Sequence, residues 1–183
     1  MKMYSDIDVK IAGDKPSKDI KRNSDSLDIE KNLTKAETAT ARRFGKSVAM
    51  KFIADTDITK SGKENNLEMI TQRRMLLSFT ATVGFELYSP NDTLCGIAQK
   101  SFLDTLRSQD KSPYSSGDDT GAFSFYYLAF RRGGEVDRRI GQTFAMLCSH
   151  DGDPIYQELG EALYCWFLSE VKNSAKEFYA LED

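Results

Sequence analysis

The sequence of this 183-residue chain predicts an all-α fold. Three observations carry that expectation. Apolar residues recur at helical spacing through most of the chain beyond residue 34. Helix start and stop residues punctuate those stretches. Strict apolar alternation, the mark of a strand, is confined to two short segments. About six helices are expected, as an antiparallel bundle or a globular helical array around a long C-terminal helix. Residues 1–34 read as a polar arm ahead of a single helical domain at 35–183.

The arm is rich in Lys, Asp and Ser. Residues 1–43 hold ten basic and eight acidic side chains, whereas 44–183 hold fifteen and twenty, so the two parts differ in sign. Composition suggests a solvated arm. However, Ile7, Val9 and Ile11 alternate with Asp6, Asp8 and Lys10 at strand period, and a lone strand needs a sheet edge or a partner. These three residues are therefore a candidate partner contact.

The helices follow in order. Thr34 and Glu37 form a capping-box pattern ahead of Phe44, Val48 and Phe52, which predicts a helix over 35–55. Ser61 and Glu64 repeat that spacing before a helix over 63–88. Here Phe79, Ala81, Val83, Phe85 and Leu87 alternate, so a strand competes. The helical spacing of Leu67, Ile70, Met75 and Leu76 leading into them favours a helix. Ser89-Pro90 reads as an N-cap with first-turn proline, followed by Leu94, Ile97, Ala98, Phe102 and Leu106 on one face. After a Ser/Asp/Gly-rich loop at 108–121, Asp118 or Asp119 is placed to cap an aromatic helix from Ala122 to Arg132, which Gly133-Gly134 ends. Val136, Ile140, Phe144 and Leu147 mark the fifth helix, ending at Ser149-His150. Asp153-Pro154 opens the last, with Ile155, Leu159, Leu163, Trp166, Phe167, Val171 and Phe178 in period. Trp166 and Phe167 are expected near the centre, so Trp166→Ala should be among the most damaging changes.

Composition narrows the function classes. With 40% hydrophobic residues the chain has enough for a core, and its net charge of -3 argues mildly against a life on DNA. Cys95, Cys148 and Cys165 are odd in number, widely spaced and set in apolar stretches, as buried reduced thiols of a cytoplasmic protein would be. No apolar run approaches the roughly 18 residues of a membrane span, and the N-terminus shows no signal-peptide pattern.

Arginine is the least random feature. Eight of the ten arginines stand in adjacent pairs, Arg42-Arg43, Arg73-Arg74, Arg131-Arg132 and Arg138-Arg139. Neighbours on a helix lie about 100° apart, so each pair straddles two faces, one at the edge of a buried seam and one in water. The last two pairs flank Gly133-Gly134. Guanidinium groups there suit phosphate oxygens, protein interfaces, or simply Glu135, Asp137 and helix-end carbonyls. Tyr126 and Tyr127 likewise point to two faces, one of them at a rim. Arg131, Arg132, Arg138, Arg139, Tyr126 and Tyr127 are thus the candidate binding residues.

Catalytic signatures are lacking. His150 is the sole histidine and sits at a helix end, where bonding to the last carbonyls suffices to explain it. Asp151-Gly152-Asp153 lacks the other ligands of a calcium loop. Ser115-Ser116-Gly117-Asp118-Asp119 lacks the glycine spacing and lysine of a P-loop. Glu158 and Glu161 share a helical face that solvation explains equally well. No metal or cofactor is expected. The expectation is a non-enzymatic helical protein that binds protein chains, its own copies or a larger assembly. The alternatives are a nucleic-acid or phospho-ligand binder using the 131–139 arginines, and an enzyme of unrecognised type built around His150.

Overall fold

The computed structural model describes residues 33–61, 67–109 and 120–179. Among them are six helices and no strand: α1 (Lys35–Ser61), α2 (Leu67–Tyr88), α3 (Asp92–Ser108), α4 (Thr120–Arg131), α5 (Val136–Leu147) and α6 (Pro154–Tyr179). The fold is an all-α array. The strand-like Ile7, Val9 and Ile11 lie outside the described residues, as do Glu64 and the Asp118-Asp119 pair.

Several helix ends form as their residues dictate. At α1 the backbone N–H of Thr34 donates to Glu37 Oε2 at 2.8 Å, and the N–H of Glu37 donates to Thr34 Oγ1 at 3.1 Å, a complete capping box. At α6, Asp153 Oδ1 accepts from the N–H of Ile155 at 2.9 Å, with Pro154 in the first turn. Gly133 and Gly134 end the α4 segment at φ 65° and 53°, the left-handed region where a Cβ is unwelcome. α5 closes differently. Ser149 takes φ 60°, His150 N–H reaches Ala145 O, and Ser149 N–H reaches Met146 O. That is the Schellman pairing, with serine in the place glycine usually holds.

Two expected boundaries move. α3 starts at Asn91, not Ser89, because Asn91 Oδ1 accepts from Leu94 N–H at 2.9 Å. Pro90 therefore precedes the cap instead of following it. α1 runs on to Ser61, six residues past its expected end, so Ser61 finishes one helix and does not cap the next.

Two apolar cores share α2 and α6. The first gathers Phe44, Val48 and Phe52 of α1, Phe85 of α2, Phe102 of α3, and Phe167 and Val171 of α6. Its rings meet edge-on, as in Phe44–Phe85 at 5.1 Å and Phe52–Phe102 at 5.8 Å. The second joins Met75 and Phe79 of α2, Tyr126 of α4, Ile140 and Phe144 of α5, and Leu163 and Tyr164 of α6. α1 and α6 run antiparallel: Phe44 meets Phe178 and Tyr179, while eight residues on Phe52 meets Phe167.

This arrangement explains the alternation in α2. Positions two apart on a helix differ by about 200°, nearly opposite faces. Phe79 and Val83 enter the second core, and Ala81 and Phe85 enter the first. A helix buried on two opposite sides thus writes the same pattern as a strand. The array centres on α2 as much as on α6.

One expectation about α6 is corrected. Phe167 is fully buried, but Trp166 is 43% exposed. A one-residue step turns the side chain about 100° around the helix. The smaller ring occupies the seam, where Val171 and Ala175 follow it at i+4 and i+8. The indole leans over Phe167 at 5.6 Å from outside. Cys165, expected to be buried, is exposed beside it, while Cys95 and Cys148 are buried.

Helix crossings are close where glycine stands. A Cβ on Gly45 would meet the backbone of Ala98, and one on Gly84 would meet the Val171 side chain. Gly141 abuts Gln157 O, and Gly160 abuts Phe144, so α5 and α6 approach through reciprocal glycines.

Candidate interaction surface

The candidate residues fall on α4, the turn after it and the start of α5. α4 buries Ala122, Tyr126 and Ala129 at i, i+4 and i+7. That face closes around Phe79, which stacks with Tyr126 at 5.6 Å and meets Phe123 and Phe130 at 5.4 and 6.2 Å. Tyr126 is thus fully inside and offers no ring to a partner. Tyr127 is 40% exposed, so the two neighbouring tyrosines do part between faces as their spacing requires.

The other side of α4 stays open. Phe125 is 49% exposed and Leu128 56%. No residue with a negative charge lies anywhere along the helix. Phe125 and Leu128 escape a reading that treats the aromatic run as one block. The signal was present, since Ala122, Tyr126 and Ala129 define the inward stripe and leave 125 and 128 on the far side.

Arginines gather at the C-terminal end of this face. The Arg131 guanidinium lies 5.1 Å from the centre of the Tyr127 ring, a cation–π contact. Arg132 is exposed, with no hydrogen bond or ion pair among the described residues. Arg138 pairs with Glu135 at 3.3 Å on the surface, where such pairs contribute at most about 1 kcal/mol. Arg139 Nη1 donates to the carbonyls of Gly133 and Gly134, holding the glycine turn from below. Arg138 and Arg139 are therefore occupied by local structure, and Arg131 and Arg132 face outward.

The remaining pairs divide differently. Arg73 grips Asp55 with two bonds, at 3.0 and 2.6 Å, and ties α2 to α1 in a half-buried fork. Arg74 is half-buried as well, with no partner at Nε. Both Arg42 and Arg43 are exposed. The expected split of each pair between seam and water holds only for Arg138 and Arg139.

Catalytic chemistry finds little to build on. His150 stacks flat on Tyr156, with centroids 3.7 Å apart and planes 10° from parallel. Its Nδ1 lies 3.9 Å from Asp153 Oδ2, across a solvent-exposed turn. A cavity of about 320 Å³ opens between the starts of α1 and α3 and the end of α6, lined by Glu37, Thr40, Pro90, Asn91, Leu94 and Tyr179. Its one carboxylate, Glu37, is engaged in the capping box. Burial pushes the Cys95 thiol up to about 11 and the Cys148 thiol up to about 12, with nearby carboxylates adding to both. These two are not thiolates near neutral pH and so are poor nucleophiles. No group of three or more His, Cys, Asp or Glu suited to a metal ion occurs among the described residues. No helix of the described residues is long and apolar enough to cross a membrane.

Comparison with known proteins returns no match: no family, no curated protein and no solved structure resembles the chain.

Proposed function

We propose that this chain is a non-enzymatic helical interaction module that binds protein chains through the outer face of α4 and the adjoining arginines. One observation carries the reading: Phe125, Tyr127 and Leu128 stand exposed on a single short helix beside Arg131 and Arg132. Large apolar side chains clustered on a surface mark association sites. Arginine and tyrosine are the residues that protein interfaces favour. The reading includes a cytoplasmic location, supported by three free cysteines of which two are buried.

The nucleic-acid or phospho-ligand alternative is left with Arg131 and Arg132, since Arg138 and Arg139 are engaged by Glu135 and the turn carbonyls. Salt dependence separates the two readings, because phosphate contacts weaken steeply as salt rises and apolar association does not. Light scattering at tens of micromolar, together with co-purification from native cells, tests the proposal. A Phe125→Ser/Leu128→Ser protein is expected to lose its associations while keeping its helical circular dichroism. A strict monomer whose co-purifying proteins are unchanged by the double substitution would overturn it. So would low-salt nucleic-acid binding that disappears in Arg131→Ala/Arg132→Ala.

A further inference from the structure

The outer face of α4 is more than apolar; it has the spacing of a helix-packing seam. Gly121, Ser124, Phe125 and Leu128 fall at i, i+3, i+4 and i+7. A helix that packs on one side shows this spacing once. α4 shows it twice, since Ala122, Tyr126 and Ala129 already form the inward stripe.

Glycine points the same way. In this fold Gly45, Gly84, Gly141 and Gly160 each stand where another helix crosses so closely that a Cβ would collide with it. Gly121 has nothing within 4 Å of where a Cβ would lie. Gly96 is also open, but its exposed neighbours are Asp92 and Lys100, a solvated surface. Gly121 alone is an open helical glycine on an apolar face.

Resting on the reading of this face as an interface, we propose that its occupant is a second copy of the chain, with the two α4 helices packed antiparallel. Residue numbers that meet across the two-fold axis then sum to about 249. Leu128 of each copy seats over Gly121 of the other, about 10 Å along the helix from its own Gly121. Ser124 and Phe125 meet their counterparts at the axis. The protruding leucine fills the gap the glycine leaves, on both sides at once, as an isologous interface requires.

Charge selects the direction. A parallel pair would bring Arg131 and Arg132 of both copies together, four guanidinium groups with no acid on either helix. Antiparallel packing separates them by the length of the helix. It brings each Arg pair to the end of the other α4, before which the sequence carries Asp118 and Asp119. A single short helix covers less than the roughly 800 Å² per partner of a standard interface, so micromolar association is expected.

The test uses the full chain with Cys165→Ser, which removes the exposed native thiol. Light scattering should give twice the single-chain mass of 20.6 kDa at tens of micromolar. Leu128→Arg should halve that mass with unchanged circular dichroism. Under mild oxidation a mixture of Gly121→Cys and Leu128→Cys proteins should form a disulfide between copies, which Leu128→Cys alone should not. A dimer that survives Leu128→Arg overturns this pairing. A dimer cross-linked by Leu128→Cys alone overturns its direction. A monomer at every concentration removes self-association. In that case the broader interface reading still stands if Leu128→Arg releases other bound proteins, and falls with it if nothing is released.

Discussion

α2 and α4 are both dense in apolar side chains, and the fold treats them in opposite ways. α2 is covered on two opposite sides. Phe79 and Val83 face one core while Ala81 and Phe85 face the other. α4 is covered on one side only, by the ring cluster around Phe79, and leaves Phe125 and Leu128 outside. Apolar content alone therefore does not say how deeply a helix lies. The number of neighbours it finds does, and a helix with more apolar faces than neighbours has a surface to offer.

The sharpest way to break this contrast is a pair of phenylalanine truncations. Phe79→Ala removes a fully buried ring that three α4 aromatics touch, and should cost about 3–5 kcal/mol. Phe125→Ala should change the unfolding free energy of the isolated chain by only about 0.5 kcal/mol. Denaturant unfolding at low protein concentration compares them, and equal losses would mean that α4 is covered on both sides.

Titration of the buried groups of the α2-centred core comes next. Burial raises the Cys148 thiol from 9.0 to about 12 and the Tyr164 phenol from 10.0 to about 12. Both folded values lie above the unfolded ones, so the stability they contribute is complete below pH 9. It is lost as pH rises from 9 toward 12. Melting temperatures measured across that window should fall, and Cys148→Ala should shift the onset of the fall upward. The outer face of α4 should add nothing to this curve, because its apolar side chains do not titrate in the window.

Glycine gives a smaller test with opposite signs. Gly84→Ala forces a methyl into Val171 and should cost about 1–3 kcal/mol. Gly121→Ala meets nothing in the isolated chain and should stabilise it by up to about 1 kcal/mol through better helix propensity. If Gly121→Ala destabilises the dilute monomer, something in the chain already covers that face.

The smallest effect expected is at Ser174 of α6. Its hydroxyl is fully buried with no hydrogen-bond partner among the described residues. Ser174→Ala should raise stability by about 1 kcal/mol in thermal unfolding, since the substitution removes a desolvated polar group that nothing satisfies. A loss of stability would show that the hydroxyl is satisfied after all.

Particular residues show how far the chain could be read in advance. Thr34 with Glu37, Asp153 with Pro154, and Gly133 with Gly134 each act where their spacing places them. Their partners lie within a few residues, so local geometry is enough. The reading slipped at Ser89-Pro90, because Asn91 next door makes the better cap. It slipped at Trp166, because aromatic size suggested the core when the neighbouring Phe167 had the right angle on the helix. The candidate surface was half legible. Arg131, Arg132 and Tyr127 were singled out, whereas Phe125 and Leu128 needed the inward stripe of α4 to be known first. Arg73 looked like its fellows, and only the approach of Asp55 from α1 gives it a separate role.

By itself the amino-acid order determined that the described chain would form helices and where several of them begin and end. Those outcomes rest on backbone hydrogen bonds and side chains a turn or less apart. Which helices would lie between two cores and which would keep a bare side was decided by tertiary packing alone. Burial depends on what other segments, distant in sequence, bring against a face, and no local spacing carries that information.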